Sequence, residues 1–199
     1  MIKFKNLNDE EKPYAILKKK YDEAIDAGQL NIEALAISTY SKQNNEVDSR
    51  YVNLKFIDGD KFIFFTNYNS PKSRSISTHN QIGALFYWDT INVQIRIKAK
   101  IKKTTNKFNN KYFKERSFDK NALAISSSQS EVIKSYSDMM IKYKKIKETE
   151  DLSKCPEFWG GFCFIPYYFE FWKGHDSRIN ERECYKKING SWKKYFLQP

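Results

Sequence analysis

Four short stretches of this chain carry side chains suited to gripping phosphate. Tyr112 and Arg116 stand four residues apart, so on a helix they share a face where a phenol and a guanidinium can hold one phosphate; a surface aromatic stacked on an arginine has the same spacing. Asn67-Tyr68-Asn69-Ser70-Pro71-Lys72-Ser73 follows an apolar run and opens a helix. It brings free backbone N–H groups, the positive end of the helix dipole and the Lys72 ammonium together, although an ordinary capped helix start reads alike. Arg50 and Lys55 bracket Tyr51-Val52-Asn53-Leu54 on one strand. Simple alternation sends them to opposite faces, so a shared site requires a bulge, a strand end or long side chains. Glu170-Phe171-Trp172-Lys173-Gly174 precedes Arg178-Ile179-Asn180-Glu181-Arg182, which sets two arginines four apart after an aromatic strand.

Composition makes those arginines informative. The 199 residues hold 35 Lys and Arg against 24 Asp and Glu, a net charge of +11, yet only six of the basic residues are arginine: Arg50, Arg74, Arg96, Arg116, Arg178 and Arg182. Lys is the default cation here, and a retained Arg marks a place that needs a planar, two-pronged donor. The positive charge is spread evenly; its densest run, Lys142 to Lys147, reads as a solvated helix face, so no nucleic-acid partner is expected. No apolar run reaches the roughly 18 residues of a membrane span, and the N-terminus lacks the apolar stretch of a secretory signal. Cys155, Cys163 and Cys184 are odd in number and never spaced C-x-x-C, as in reduced thiols of a cytoplasmic protein. His79 and His175 are too few and too isolated for a His-rich metal site, and no glycine-rich phosphate loop occurs.

These side chains must be positioned by strands in hairpins. Glu11 to Ala27 reads as a helix, with Pro13 in its first turn and an apolar stripe of Tyr14, Leu17, Tyr21 and Ala24 or Ile25 before Gly28. Strands follow at Ala34 to Tyr40, Ser49 to Ile57 and Lys61 to Thr66, the last two joined at Asp58-Gly59. Ser70-Pro71 opens a short helix; Gln81 to Trp88 and Val93 to Lys103 form a further pair. Helices are predicted over Asn106 to Arg116 and Glu131 to Lys147, with a serine-rich turn from Ser126 to Ser130 between them. Strands close the chain around Phe162 to Trp172, Glu181 to Ile188 and Trp192 to Leu197, with a turn at Asn189-Gly190. The pattern predicts one α+β domain, mainly β: an antiparallel barrel decorated by helices, with residues 1–33 as a helical extension.

Read in order, these motifs resemble the pyridoxamine 5'-phosphate oxidase family. Arg50-Tyr-Val-Asn-Leu-Lys55, Phe64-Phe-Thr-Asn67 and Ser70-Pro-Lys72 are similar to the family's R-x-V-L-L-K, Y-T-N and S-R-K. Val93-Gln-Ile-Arg96, Lys111-Tyr-Phe-Lys-Glu-Arg116, Ser128-Gln-Ser130, Phe158-Trp-Gly-Gly-Phe162 and Glu170-Phe-Trp-Lys-Gly174 continue the series. The stretch from Ser177-Arg-Ile-Asn-Glu-Arg182 to Leu197-Gln-Pro199 resembles its ending, so the likeness runs from about Ala34 to Pro199.

The resemblance implies an antiparallel split β-barrel of the FMN-binding type, working as a homodimer with FMN at the subunit interface. It implies oxidation of pyridoxamine or pyridoxine 5'-phosphate to pyridoxal 5'-phosphate, with O2 as acceptor and H2O2 as product. By that likeness Arg50, Lys72, Gln129 and Ser130 surround the FMN phosphate and ribityl chain. Val52, Leu54, Lys55, Phe65 and Thr66 line the flavin, Gln94 meets its pyrimidine edge, and Trp172 and Arg182 complete the site from the other subunit. Lys55, Tyr112, Arg116 and Lys120 hold the substrate phosphate, while Arg178 and Asn180 lie by the substrate ring as the catalytic pair. The chain departs from the family at Pro71 (a cation), Lys120 (Ser), Leu123 and Ile125 (Gly and Trp) and Asn180 (His), where Asn can hydrogen-bond but takes up no proton near neutral pH. Those departures keep open a flavin oxidase acting on another ring, as in phenazine biosynthesis, and a flavin-binding protein without turnover.

Overall fold

The computed structural model of the protein describes residues 1–7 and 11–199. A strand β1 (Lys3–Lys5) and a helix α1 (Lys12–Asp26) precede β2 (Ala34–Ser41), β3 (Glu46–Asp58) and β4 (Lys61–Asn67). Next come α2 (Pro71–Thr78), β5 (Gln81–Trp88) and β6 (Val93–Lys103), then three helices, α3 (Asn106–Glu115), α4 (Phe118–Ser126) and α5 (Tyr136–Thr149). Strands β7 (Trp159–Lys173), β8 (Glu181–Ile188) and β9 (Ser191–Phe196) end the chain.

The strands run in the order β1-β3-β2-β5-β6-β7-β8-β9, and β4 pairs with both β3 and β7. That double pairing closes β3-β2-β5-β6-β7-β4 into a six-stranded barrel, with β8 and β9 continuing outward from β7. Apart from the parallel β1–β3 pair, every pairing is antiparallel. Alternation in β6 sends Val93, Ile95, Ile97, Ala99 and Ile101 inward, where they meet Leu35, Ile37, Phe62, Phe64, Phe162 and Phe164. The stripe of α1 (Tyr14, Leu17, Tyr21 and Ala24) packs into the same core, with the Tyr14 ring edge-on to Phe169 at 5.4 Å.

Strand β7 serves two neighbours in succession. Its first half, Trp159 to Phe164, pairs with β4, and its second half, Tyr168 to Lys173, pairs with β8. Between them lies Pro166, which has no N–H to donate, and the register with β6 slips there, so that Ala99 faces Pro166 while Lys98 faces Tyr168. Proline is admitted to a central strand only at such an irregularity, and the extra residue bends the strand away from one neighbour toward the next. A second slip between Leu54 and Phe56 in β3 falls on Lys55. It is the bulge that Arg50 and Lys55 require if both are to serve one site.

Several elements differ from the sequence expectation. The helix predicted over Glu131 to Lys147 begins only at Tyr136, because the Ser135 hydroxyl accepts the Asp138 N–H and caps it there, and it runs on to Thr149. Helix α4, across Phe118 to Ser126, lies in a stretch not assigned to any element, and β1 is a strand that too few residues betray. The strand read as Phe162 to Trp172 starts three residues earlier, at Trp159. The Asn189-Gly190 turn is as expected: both residues have positive φ (49° and 83°), which fits a two-residue hairpin.

The start of β7 also anchors α3. Asn109, buried on α3, accepts the Gly161 N–H at 3.0 Å through Oδ1 and donates through Nδ2 to the Tyr68 hydroxyl at 3.1 Å. The Tyr68 hydroxyl in turn donates to the Gly161 carbonyl at 2.9 Å. This approach needs glycine, since a Cβ on Gly160 would run into the Tyr68 hydroxyl and the Asn109 amide. Gly160→Ala is therefore expected to cost about 2 kcal/mol through overpacking. In a chain this long, thermal denaturation should show the midpoint falling by about 5 °C.

Candidate functional site

A cavity of about 570 Å³ opens beside the α3 anchor, lined by residues of β3, β4, α3, α4 and the start of β7. Five cations, Lys3, Lys55, Lys72, Arg116 and Lys120, face one acid, Glu115, around its wall. One side is aromatic. Phe65 stacks on Tyr112 (centroids 4.1 Å apart, planes at 24°) and on Trp159 (5.1 Å, 9°). Flat rings beside clustered cations suit a planar ligand that carries phosphate.

Lys72, on the first turn of α2, is only 6% exposed. Its ammonium donates to the Thr66 hydroxyl at 2.8 Å and the Ser70 hydroxyl at 3.0 Å, and among the described residues no carboxylate lies within 4 Å of it. Burial, with repulsion from Arg50 added, brings its pKa down to about 8. The Ser70 hydroxyl does not cap α2; it turns back to donate to the Asn67 carbonyl at 2.8 Å, so the serine serves the lysine instead of the helix end. Gln129 closes this wall, its Oε1 accepting from the Thr66 hydroxyl at 2.9 Å and the Asn67 N–H at 3.3 Å.

Arg116, just past the end of α3, lies over the Trp159 ring with its guanidinium carbon 4.5 Å from the centroid. Its Nη2 donates to the Lys120 carbonyl at 3.1 Å, whereas Nη1 is buried and bonded to nothing in the protein. Burial lowers its pKa from the ordinary arginine value and raises that of the Tyr112 phenol, which therefore stays protonated as a donor. Lys55 enters the cavity from its bulge, and Glu33 stands 3.6 Å from its ammonium.

The structure brings Val52, Lys55, Phe65, Thr66, Lys72, Tyr112, Arg116, Lys120 and Gln129 together around the cavity. Leu54 is next to them, but its side chain is wholly inside the barrel core. Arg50 is half-buried behind Lys72, its Nη1 donating to the Thr39 hydroxyl at 2.6 Å and its Nη2 3.2 Å from Asp48. Ser130 follows Gln129 at a positive φ of 70° and is exposed. A second group lies elsewhere. Gln94 pairs with Trp172, and Trp172 with Arg182, in one row across β6, β7 and β8. Trp172 sits at the opposite end of β7 from Trp159, separated by about 40 Å of extended chain. Arg178 and Asn180 occupy the exposed loop that follows. One chain therefore holds the predicted residues as two separate groups.

Sequence reasoning named Trp159, the platform for Arg116, only within the Phe158-Trp-Gly-Gly-Phe162 motif and gave it no role, and it did not single out Asn109, which holds α3 in place. The Gly160-Gly161 pair in that motif is the signal that could have given them roles, because such a pair in a strand marks close approach by another element. Among the described residues no cluster of three or more His, Cys, Asp or Glu could hold a metal, and no helix is long and apolar enough to cross a membrane.

Comparison with solved structures defines the class. PhzG from Burkholderia lata, in complex with tetrahydrophenazine-1-carboxylic acid, superposes with a TM-score of 0.88 at 25% identity, over 94% of this chain and 92% of its own. A pyridoxamine 5'-phosphate oxidase-related, FMN binding protein from Nostoc punctiforme gives 0.76 at 12% identity, over 92% and 96%. The fold is thus the α+β antiparallel split barrel of the FMN-binding type, decorated by helices. Residues 18–150 match the pyridoxamine 5'-phosphate oxidase family, and residues 159–199 match the pyridoxine 5'-phosphate oxidase C-terminal dimerisation region. The pyridoxine/pyridoxamine 5'-phosphate oxidase of Coxiella burnetii is 35% identical over 94% of this chain and 95% of its own, and that of Pseudomonas entomophila 30% identical over 94% and 88%. The chain belongs to the pyridoxamine 5'-phosphate oxidase family.

The Lys72 ammonium carries its charge only below about pH 8. The affinity of a phosphomonoester bound against it should therefore fall as pH rises through that value. Titration calorimetry on either side of it should show the fall, and Lys72→Met should bind weakly with no such step.

Proposed function

We propose that this protein is an FMN-dependent oxidase converting pyridoxamine or pyridoxine 5'-phosphate to pyridoxal 5'-phosphate, with O2 as electron acceptor and H2O2 as product. The observation that carries the reading is a buried cation, Lys72, and a half-buried one, Arg116, whose Nη1 is out of water, in one aromatic-walled cavity. Lys72 has no acid partner among the described residues, and Arg116 Nη1 has no partner in the protein. Desolvated cations of this kind call for anionic ligands, and two of them on separate elements, α2 and the end of α3, are enough for two phosphates.

On this reading Lys72 with Arg50, Gln129 and Ser130 would hold the FMN phosphate. Val52, Leu54, Lys55, Phe65 and Thr66 would flank the flavin, the Leu54 contribution coming from its backbone. Tyr112, Arg116, Lys55 and Lys120 would grip the substrate phosphate, and Trp159 would keep the Arg116 guanidinium flat and oriented. Gln94, Trp172 and Arg182, which lie too far along the sheet to reach their own cavity, would serve the cavity of a second copy. Arg178 and Asn180 would then approach the substrate ring from that copy, so the active species is a homodimer. The match to a C-terminal dimerisation region supports this arrangement. Bound FMN would supply the redox chemistry, accepting hydride from the substrate and passing electrons to O2. The chain's own task is stacking and orientation, which suits a site with almost no histidine. Three free cysteines support a reducing, cytoplasmic setting.

A second reading, oxidation of another ring substrate, draws on the likeness to PhzG and on Asn180, Leu123 and Ile125. Against it, a substrate without phosphate would leave Arg116 Nη1 buried and unpaired.

Aerobic turnover of the FMN-loaded protein with pyridoxamine and pyridoxine 5'-phosphates tests the proposal, followed by H2O2 release and flavin bleaching in the absence of oxygen. Flavin reduction by neither compound would sink the vitamin assignment and favour another ring, or a flavin-binding role without turnover. Arg116→Ala is expected to raise KM for the phosphorylated substrate by about tenfold or more, the loss of a charged hydrogen bond, with FMN affinity unchanged. An unaltered KM would remove Arg116 from the phosphate site.

A further inference from the structure

Glu170, on the half of β7 far from the cavity, is a carboxylate with 1% exposure. Its Oε1 accepts from Arg182 Nε at 2.9 Å and Nη2 at 2.8 Å. Its Oε2 accepts from Arg96 Nη1 and from the Tyr168 hydroxyl, both at 2.9 Å. Each oxygen thus takes two donors. Arg182 is held from a second side by the chain's last residues: its Nη1 donates to the Gln198 carbonyl at 3.0 Å, and the Leu197 N–H donates to the Arg182 carbonyl at 3.0 Å. Three of the five guanidinium N–H groups are committed, leaving one on each terminal nitrogen. A long side chain that would otherwise sample many rotamers is frozen with those two donors unspent.

We propose that Glu170 is a positioning residue, which presets the Arg182 guanidinium so that its two remaining N–H groups present a fixed fork to the flavin held by a second copy of the chain. The inference rests on the reading of Arg182 as a flavin contact given above. Ordering Arg182 before the ligand arrives removes that ordering from the binding step, so the gain appears as flavin affinity. A carboxylate serving only to neutralise two arginines would instead contribute to folding stability and leave flavin affinity alone.

The test is FMN affinity of the full chain, measured by quenching of flavin fluorescence, with sedimentation recording the oligomeric state. The variants are Glu170→Gln, Arg182→Gln, Arg182→Lys and the Glu170→Gln/Arg182→Gln double. Arg182→Gln is expected to weaken FMN binding about tenfold, the loss of a charged hydrogen bond. Glu170→Gln should weaken it comparably, and the double variant should be no weaker than Arg182→Gln, because the two act as one unit. Arg182→Lys keeps the charge but not the fork, and should bind as poorly as Arg182→Gln. Wild-type affinity in Arg182→Gln would overturn the flavin contact itself. Weak binding in Arg182→Gln but not in Glu170→Gln, or losses that multiply in the double variant, would overturn the role of Glu170 alone. Should Glu170→Gln not fold, wild-type affinity in Arg182→Lys would overturn it, since orientation would then not matter.

Discussion

The constraint on which this architecture turns is the change of partner halfway along β7. Up to Phe164 the strand closes the barrel against β4; from Tyr168 it carries the sheet outward to β8. Pro166 makes the change tolerable, since a residue with no N–H sits where a regular ladder would lose a bond in any case, and the slipped register supplies the bend. The consequences run in both directions from that point. One end delivers Trp159 and the glycine pair that α3 needs for close approach, and with it Tyr112 and Arg116. The other end delivers Trp172 and, in register beside it, Arg182. A strand that binds its two halves to different neighbours cannot fold its ends back onto one ligand, and on the proposed reading this would give the match to a dimerisation region at residues 159–199 a chemical purpose.

Within the cavity the ruling term is desolvation. Most of the +11 charge is solvated surface, and exposed ion pairs such as Lys18 with Asp22 contribute little. Lys72 and Arg116 are different, because the first is buried and the second has its Nη1 out of water, and neither has a carboxylate partner among the described residues. Hydroxyl partners and a tryptophan face make this bearable; they do not neutralise it. On the proposed reading the cavity is arranged for ligands with more negative charge than any protein side chain offers, and binding them would add to the stability of the fold.

Much of this was legible in the sequence, because strand alternation and turn chemistry are local. The inward series of β6 and the Asn189-Gly190 hairpin are decided by neighbours in the chain. What was not legible depends on partners distant in sequence. Alternation put Arg50 and Lys55 on opposite faces, and only the pairing of β3 with β4 shows the bulge at Lys55 that relaxes this. Helix α4 is short and has only Asn121, Ala122 and Ser126 buried, so it shows no apolar stripe to read. The start of α5 was misplaced because apolar Val132 and Ile133 extend the helical pattern, while the Ser135 cap decides where the helix begins. Trp159 and Asn109 acquire their roles from each other's elements, and no spacing rule joins residues fifty positions apart.

Asn180 shows how a departure at a site can be structural as well as chemical. Its Oδ1 accepts the His175 N–H at 3.1 Å, and the Arg178 N–H donates to the His175 carbonyl at 2.8 Å, so the two residues tie off one compact loop. Arg178 itself holds φ at +60°, a conformation that costs a non-glycine residue about 1 kcal/mol and persists only where surrounding bonds enforce it. The asparagine helps to enforce it. One lone pair of its Oδ1 is used in the loop, and its amide nitrogen still carries two donors, so on the proposed reading it can steady Arg178 and also donate to a substrate. A histidine here could accept the loop N–H through one ring nitrogen and exchange a proton through the other, so what the asparagine lacks is the proton and not the loop bond.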